Sequence, residues 1–267
     1  MTTTLELHQS LTAIRGMEYT SRNASKGAAL PDLYALLTRF TGPFDLPALK
    51  QFIYVQDGLG KKTRDNREAI WYRLKPRYFH VAPQWVGESL RGAASEGLHA
   101  PAFVSLAYLY YVLADRLTFD FVAGPLWQKW LNADLAVRPQ DFALYLEEAA
   151  RRAPEIGRWS EQTRKKLSSI TLTALRDFGL LAGKAHKRLT RPPVAPETVF
   201  HLLTVLWAEG RRGRALLESP DWRLFLWQES DIAEALNDLS QRRWIRFERG
   251  GQSLILEMIR TPERGQE

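Results

Sequence analysis

Apolar residues recur at intervals of three and four along most of the chain, the spacing of amphipathic helices. Leu33, Leu36, Leu37 and Phe40 predict a first helix over residues 31–40, with Pro31 near its start and Thr41-Gly42-Pro43 at its end. A second is expected over 46–55, followed by the turn Asp57-Gly58-Leu59-Gly60. The third begins near Thr63 and is expected to bury Ala69, Ile70 and Leu74 while Arg64, Arg67, Arg73, Lys75 and Arg77 stay largely in water. Residues 102–114 are apolar on every side and interrupted only by Ser105. They fall well short of the roughly 18–20 residues that cross a bilayer, so they predict a helix at the centre of a core.

Two further helices are expected over 120–131 and 140–150, the latter amphipathic through Phe142, Leu144, Tyr145 and Leu146. Ser160 caps a longer one, with Leu167, Ile170, Thr171, Ala174, Leu175 and Phe178 on its apolar stripe and Gly179 as its stop. Its opposite side shows Lys165, Lys166, Ser169, Thr173 and Arg176. The Pro-rich joint Pro192-Pro193-Val194-Ala195-Pro196 marks an expected boundary between a helical domain, 1–191, and a second domain, 192–267.

Beyond the joint, Val199, Leu202, Leu203, Leu206 and Trp207 predict a helix over 197–208, and a shorter segment follows around 215–217. Ser230 caps a helix over 231–242 with Ile232, Ala235, Leu236 and Leu239 on one stripe. Strand-like runs at 244–249 and 253–259 are joined by Gly250-Gly251, a hairpin signal. The fold class is therefore mainly α: a helical N-terminal bundle, then a winged helix-turn-helix-like module carrying one β-hairpin.

Charge changes this picture from architecture to function. The 267 residues carry a formal net charge of +7, unevenly spread. Residues 61–80 hold 7 basic and 2 acidic groups and residues 158–191 hold 9 and 2, so two short windows carry +12 and the remainder −5. Solubility alone does not require that asymmetry, and the windows are either solvated faces or a polyanion-binding surface with salt-sensitive affinity. The candidate phosphate contacts are Lys61, Lys62, Arg64, Arg67, Arg73, Lys75 and Arg77 in the first window. The second offers Arg158, Arg164, Lys165, Lys166, Arg176, Lys184, Lys187, Arg188 and Arg191. Arg242, Arg243, Arg246 and Arg249 flank the C-terminal hairpin, but the helix before it presents Asp231, Glu234, Asn237 and Asp238. Either nucleic acid meets only that helix end and the wing, or the module binds protein.

Nothing points to catalysis. There is no Gly-x-Ser-x-Gly elbow, and Gly60-Lys61 lacks the upstream Gly and following Ser/Thr of a phosphate loop, since Val55 and Lys62 stand there. Zero Cys excludes disulfides and thiolate metal sites, and the histidines, His8, His80, His99, His186 and His201, are scattered. No metal, cofactor or membrane partner is expected, and the absence of a secretory pattern in MTTTLELHQS leads to a cytoplasmic expectation. Trp71, Tyr72, Tyr78 and Trp159 lie near the basic windows, where aromatics either stack on unpaired RNA bases or fill the core.

Residues 160–181, SEQTRKKLSSITLTALRDFGLL, resemble the Ser-x-x-Thr-(Arg/Lys)-Lys-(Lys/Arg)-Leu…Leu-(Arg/Lys)-(Glu/Asp)-x-Gly-Leu-Leu segment of the BrxA family, small accessory proteins of BREX bacteriophage-defence systems. Lys62-Thr63-Arg64-Asp65-Asn66-Arg67 with Arg73-Leu74 is similar to that family's basic helix entry. The resemblance runs from about Leu46 onward and implies a helical fold comparable to the antitermination protein NusB. It also implies double-stranded DNA binding without catalysis, alongside a BREX methyltransferase, ATPase and phosphatase-like protein. An RNA-binding role in the manner of NusB and a protein-interaction scaffold are the alternatives.

Overall fold

The computed structural model describes residues 9–250 and 253–260. His8 and Gly251 of the expected hairpin turn lie outside them. Several helices begin where a short polar side chain satisfies one of the first free N–H groups. Asp45 accepts from the Ala48 amide at 2.7 Å and opens α2 (Leu46–Tyr54), which follows α1 (Leu30–Arg39). Thr63 accepts from the Asn66 amide at 3.3 Å and opens α3 (Arg64–Leu74). That helix continues into a π-turn, Lys75–Phe79, and α6 (Arg116–Phe121) likewise runs through a π-turn, Val122–Leu126, into α7 (Trp127–Leu131). Each π-turn contains a proline, Pro76 or Pro125, whose missing N–H breaks the regular ladder.

Among the helices of more than two turns, one escaped the hydrophobic pattern: α4, Pro83–Ala94. Its buried positions are Val86, Gly87, Leu90 and Ala94, so two of the four are too small to register as apolar periodicity. Gly87 lies so close to Phe44 that a Cβ there would stand 2.2 Å from the ring, and α4 reaches the core only because that position is glycine. α5 (Pro101–Ala114) is buried from Phe103 to Leu113, as its all-round apolarity requires. α8 (Pro139–Arg152) buries Phe142, Tyr145, Leu146 and Ala149, while Leu144, expected on the stripe, faces water. Next come α9 (Pro154–Gly157) and α10 (Glu161–Asp177).

After the joint, α11 (Pro196–Ala208), α12 (Arg214–Leu217), the 3₁₀ turn Pro220–Phe225 and α13 (Glu229–Gln241) lead to the expected hairpin. Its strands pair antiparallel from Ile245↔Met258 to Gly250↔Ser253. The architecture is mainly helical, with few and small strands. Residues on both sides of the joint share one core. Ser105 and Thr198 hydroxyls meet at 2.7 Å, and the Tyr108 hydroxyl donates to the Leu224 carbonyl at 2.8 Å. The Tyr110 hydroxyl is hydrogen-bonded to Nδ1 of His201, which burial keeps neutral by pushing its pKa down to about 3.

The segment before α1 is a strap without regular structure over residues 12–29. Gly16 sits where a Cβ would be 2.3 Å from the Ala114 carbonyl, and its amide donates to Leu113 at 2.8 Å. Arg15 pairs with Glu209 and with Asp221 (2.7 Å), and Arg116 donates to the Met17 carbonyl at 2.8 Å. The strap thereby ties the N-terminal bundle to the segment beyond the joint.

Candidate nucleic-acid interface

α10 is a basic element that its sequence predicts. The Ser160 hydroxyl accepts from the Thr163 amide at 3.2 Å, and Gly179, at φ 82°, lets the Leu180 amide return to the Leu175 carbonyl at 2.9 Å. Leu167, Leu172, Ala174 and Leu175 face the core, which turns Lys165, Lys166 and Ser169 to water. Lys165 pairs with Glu161 at 2.6 Å, one helical turn away. Both groups are well exposed, so the pair constrains Lys165 weakly.

The basic run after α10 forms a hairpin that periodicity did not reveal. Strands β2 (Leu181–Ala182) and β3 (Lys187–Leu189) pair antiparallel, and β1 (Ala136–Val137) joins the other edge of β3. Gly183 has φ 90°, and a Cβ there would stand 2.1 Å from the His186 carbonyl oxygen. The turn therefore depends on glycine, and that glycine was its one legible signal. Leu181 and Leu189 lie opposite each other and are buried. On the open face Arg188 sits between Ala136 and Ala182, all three exposed. The small neighbours leave its guanidinium unobstructed. Lys187 is half-buried and donates to the Lys184 carbonyl at 2.9 Å, bracing the turn.

Among the described residues, Arg158, Lys166, Lys184 and Arg188 are exposed and have no carboxylate partner. Arg164 instead donates to the Ile156 and Gly157 carbonyls at 3.2 and 2.9 Å and closes the end of α9. Arg176 pairs with Asp177 at 2.9 Å, and Arg191 grips Asp231 through two bonds of 2.7 and 3.1 Å.

The first window is different. Arg73 and Arg77, expected in water, are only 7% and 2% exposed. Arg73 and Lys61 converge on Asp32 at 2.9 and 3.2 Å. Arg77 donates to Asn23 Oδ1, the Gly27 carbonyl and the Ser25 carbonyl at 3.0, 2.8 and 2.9 Å, beneath the Tyr111 ring. Both guanidiniums hold the fold together, because the strap and α1 cover the side of α3 that two-face periodicity left to solvent. Ala69, expected inside, is exposed, and Trp71 takes its place in the core. Lys75 lies over the Trp71 ring at 5.8 Å, and Arg67 is half-buried, leaving Lys62 and Arg64 exposed without carboxylate partners. Of the aromatics considered for base stacking, Trp71 and Tyr78 are buried, Trp159 is half-buried, and Tyr72 is exposed.

At the C-terminal hairpin three of the four expected cations are occupied. Arg242 pairs with Asp238 at 2.8 Å, Arg246 with Glu248 at 2.8 Å, and Arg249 with Glu229 at 2.6 Å. Arg243 is exposed without a carboxylate partner. The outward side of α13 shows Glu234, Asn237 and Gln241. No group of three or more His, Asp or Glu suited to a metal ion occurs among the described residues, and none of their helices is long and apolar enough to cross a membrane.

No curated protein matches the chain. Its fold is similar to the crystal structure of an uncharacterized protein from Magnetospirillum magneticum, with a TM-score of 0.59 and 15% identity, covering 78% of this chain and 99% of that one. At that identity the likeness concerns fold alone. The BrxA family model matches residues 59–205, from the start of the first basic window through α10 and its hairpin into α11. That match covers more than half of the chain, and the chain accordingly belongs to the BrxA family, which makes it a BREX-associated defence protein.

Proposed function

We propose that this protein is a non-enzymatic, double-stranded DNA-binding subunit of a BREX system, acting beside its methyltransferase, ATPase and phosphatase-like components. The observation that carries the reading is the cluster of exposed, uncompensated cations on α10 and its hairpin: Lys166, Lys184 and Arg188, with Lys165 held only by an exposed pair. The element order supports it. β1, then α8, the single turn α9 and α10, then a β2–β3 hairpin with β3 in the centre of the sheet resembles the order of a winged helix-turn-helix, in which the last helix enters the major groove. Most contacts of this kind go to phosphates and carry little sequence preference.

The test is fluorescence anisotropy of a labelled random-sequence duplex of about 20 base pairs, titrated at several salt concentrations. The wild type is expected to bind with a steep salt slope and to prefer duplex over single-stranded DNA or RNA. Lys166→Glu, Lys184→Glu and Arg188→Glu together are expected to weaken binding at least about tenfold and to flatten the slope by about 0.9 per lost phosphate contact. Wild-type binding unchanged in that triple variant removes the reason for choosing this face.

The C-terminal module supports a second reading. Three of the four arginines expected to contact nucleic acid at this hairpin are neutralised by carboxylates, and the outward side of α13 offers Glu234, Asn237 and Gln241 and no cation, which favours docking to a protein component over contact with phosphates. A pull-down of BREX components that survives nuclease and high salt, and fails when 229–260 is deleted, supports it.

A further inference from the structure

We infer that the strap before α1 is part of the same binding surface, with Arg22 and Lys26 extending the phosphate contacts of α10 past the C-terminal end of that helix. The inference rests on the DNA reading of α10. Its starting point is a contact: a Cβ on Gly27 would lie 2.9 Å from Asp177 Oδ2, 3.4 Å from Thr173 Cγ2 and 3.8 Å from the Ala174 amide. The strap backbone therefore rests on the last turns of α10. Lys26 is the adjacent residue, its Cα about 3.8 Å further along.

The second observation is how that position is held. Lys26 and Gly27 both have left-handed backbones, at φ 43° and 45°. For a lysine this conformation persists only where the surroundings impose it. The surroundings are Arg77, whose buried guanidinium grips the carbonyls of Ser25 and Gly27 on either side of Lys26 and the side chain of Asn23 next to Arg22. A lysine that merely solvates a loop needs no such fixture. A cation placed to meet a phosphate at a fixed distance from a recognition helix does.

The third is charge. Arg22 and Lys26 are exposed and have no carboxylate partner among the described residues, whereas Arg15, the remaining basic residue of the strap, is used up by Glu209 and Asp221. The arrangement gives the buried Arg77 a role in binding without contact. It positions the strap that carries Lys26. The strap also precedes the residues matched by the family model, which begin at 59, so this extension is carried by the chain's own N-terminal region.

The test uses the full chain. Arg22→Glu with Lys26→Glu is expected to raise Kd for the random duplex about tenfold and to lower the salt slope by about 1.8, at 0.9 per phosphate contact. The variant should keep the wild-type circular dichroism spectrum and melting temperature, since both side chains are exposed. Because the chain has no cysteine, Lys26→Cys also gives a single thiol for a photo-crosslinker. Crosslinks to duplex are expected from position 26 and from Lys166→Cys, and none from Arg214→Cys on α12, whose native arginine is paired with Glu218. If the α10–hairpin triple variant loses affinity while the strap variant keeps wild-type Kd and slope, the inference is overturned and the DNA reading stands. If the wild type does not bind duplex at low salt, both fall together.

Discussion

At the scale of single residues, the same side-chain chemistry serves opposite ends. Arg77 and Arg188 are both arginines in basic windows, yet one is buried under an aromatic ring with three hydrogen bonds and the other stands between two alanines in water. Arg77→Met leaves the buried Gly27 carbonyl, the part-buried Ser25 carbonyl and an asparagine oxygen without this donor. We expect it to cost about 3 kcal/mol, read as a lower urea midpoint at unchanged slope, whereas Arg188→Met should be silent in the same experiment. A second residue-scale expectation concerns acid. His201 is held neutral with its pKa near 3, against about 6.5 when unfolded, so below 6.5 the unfolded chain binds the extra proton and stability is lost as pH falls towards 3. His201→Gln retains an acceptor for the Tyr110 hydroxyl but cannot titrate. Its melting temperature should fall less steeply than the wild type's between pH 6.5 and 4, and parallel curves would assign the acid lability elsewhere.

At the scale of elements, legibility depended on what filled the buried positions. Helices whose stripes are Leu, Ile and Phe, such as α1 and α10, were readable from periodicity, and so was α5 from its uniform apolarity. α4 was hidden because Gly87 and Ala94 form half of its buried side, and the hairpin after α10 because its strands are two and three residues long. The candidate site was half legible for a related reason. Net charge per window identifies where cations are concentrated but not which carboxylates lie against them in space: Asp32 is 41 residues from Arg73, and Asp231 is 40 from Arg191. The glycine contacts turn this into a prediction. Gly87→Ala drives a methyl group into Phe44 and should lower stability by about 1–3 kcal/mol, measured by chemical denaturation, although alanine is the better helix former. Gly92→Ala in the same helix meets nothing within 4 Å and should stabilise by up to about 1 kcal/mol.

At the scale of the whole molecule, the Pro-rich joint reads in sequence as a linker, but the packing across it resembles a domain interior. α5 is wrapped on one side by the helices before it and on another by α11, with Ser105 and Tyr108 bonded to residues beyond the joint. The strap adds Arg15 to Glu209 and Asp221 from outside. Removing residues 192–267 would therefore uncover α5 and leave buried hydroxyls without partners, while the excised piece would lose the apolar surface that α11 buries. Two domains joined by a linker would melt in two steps or retain one half after cleavage. A shared core must melt once. We expect thermal unfolding followed by far-UV circular dichroism and by tryptophan fluorescence to give coincident single transitions, and Arg15→Met to move both midpoints down together. Non-coincident curves, or a separately expressed 192–267 that gives a cooperative melt of its own, would show that the joint does divide the chain and that the contacts across it are a docking interface.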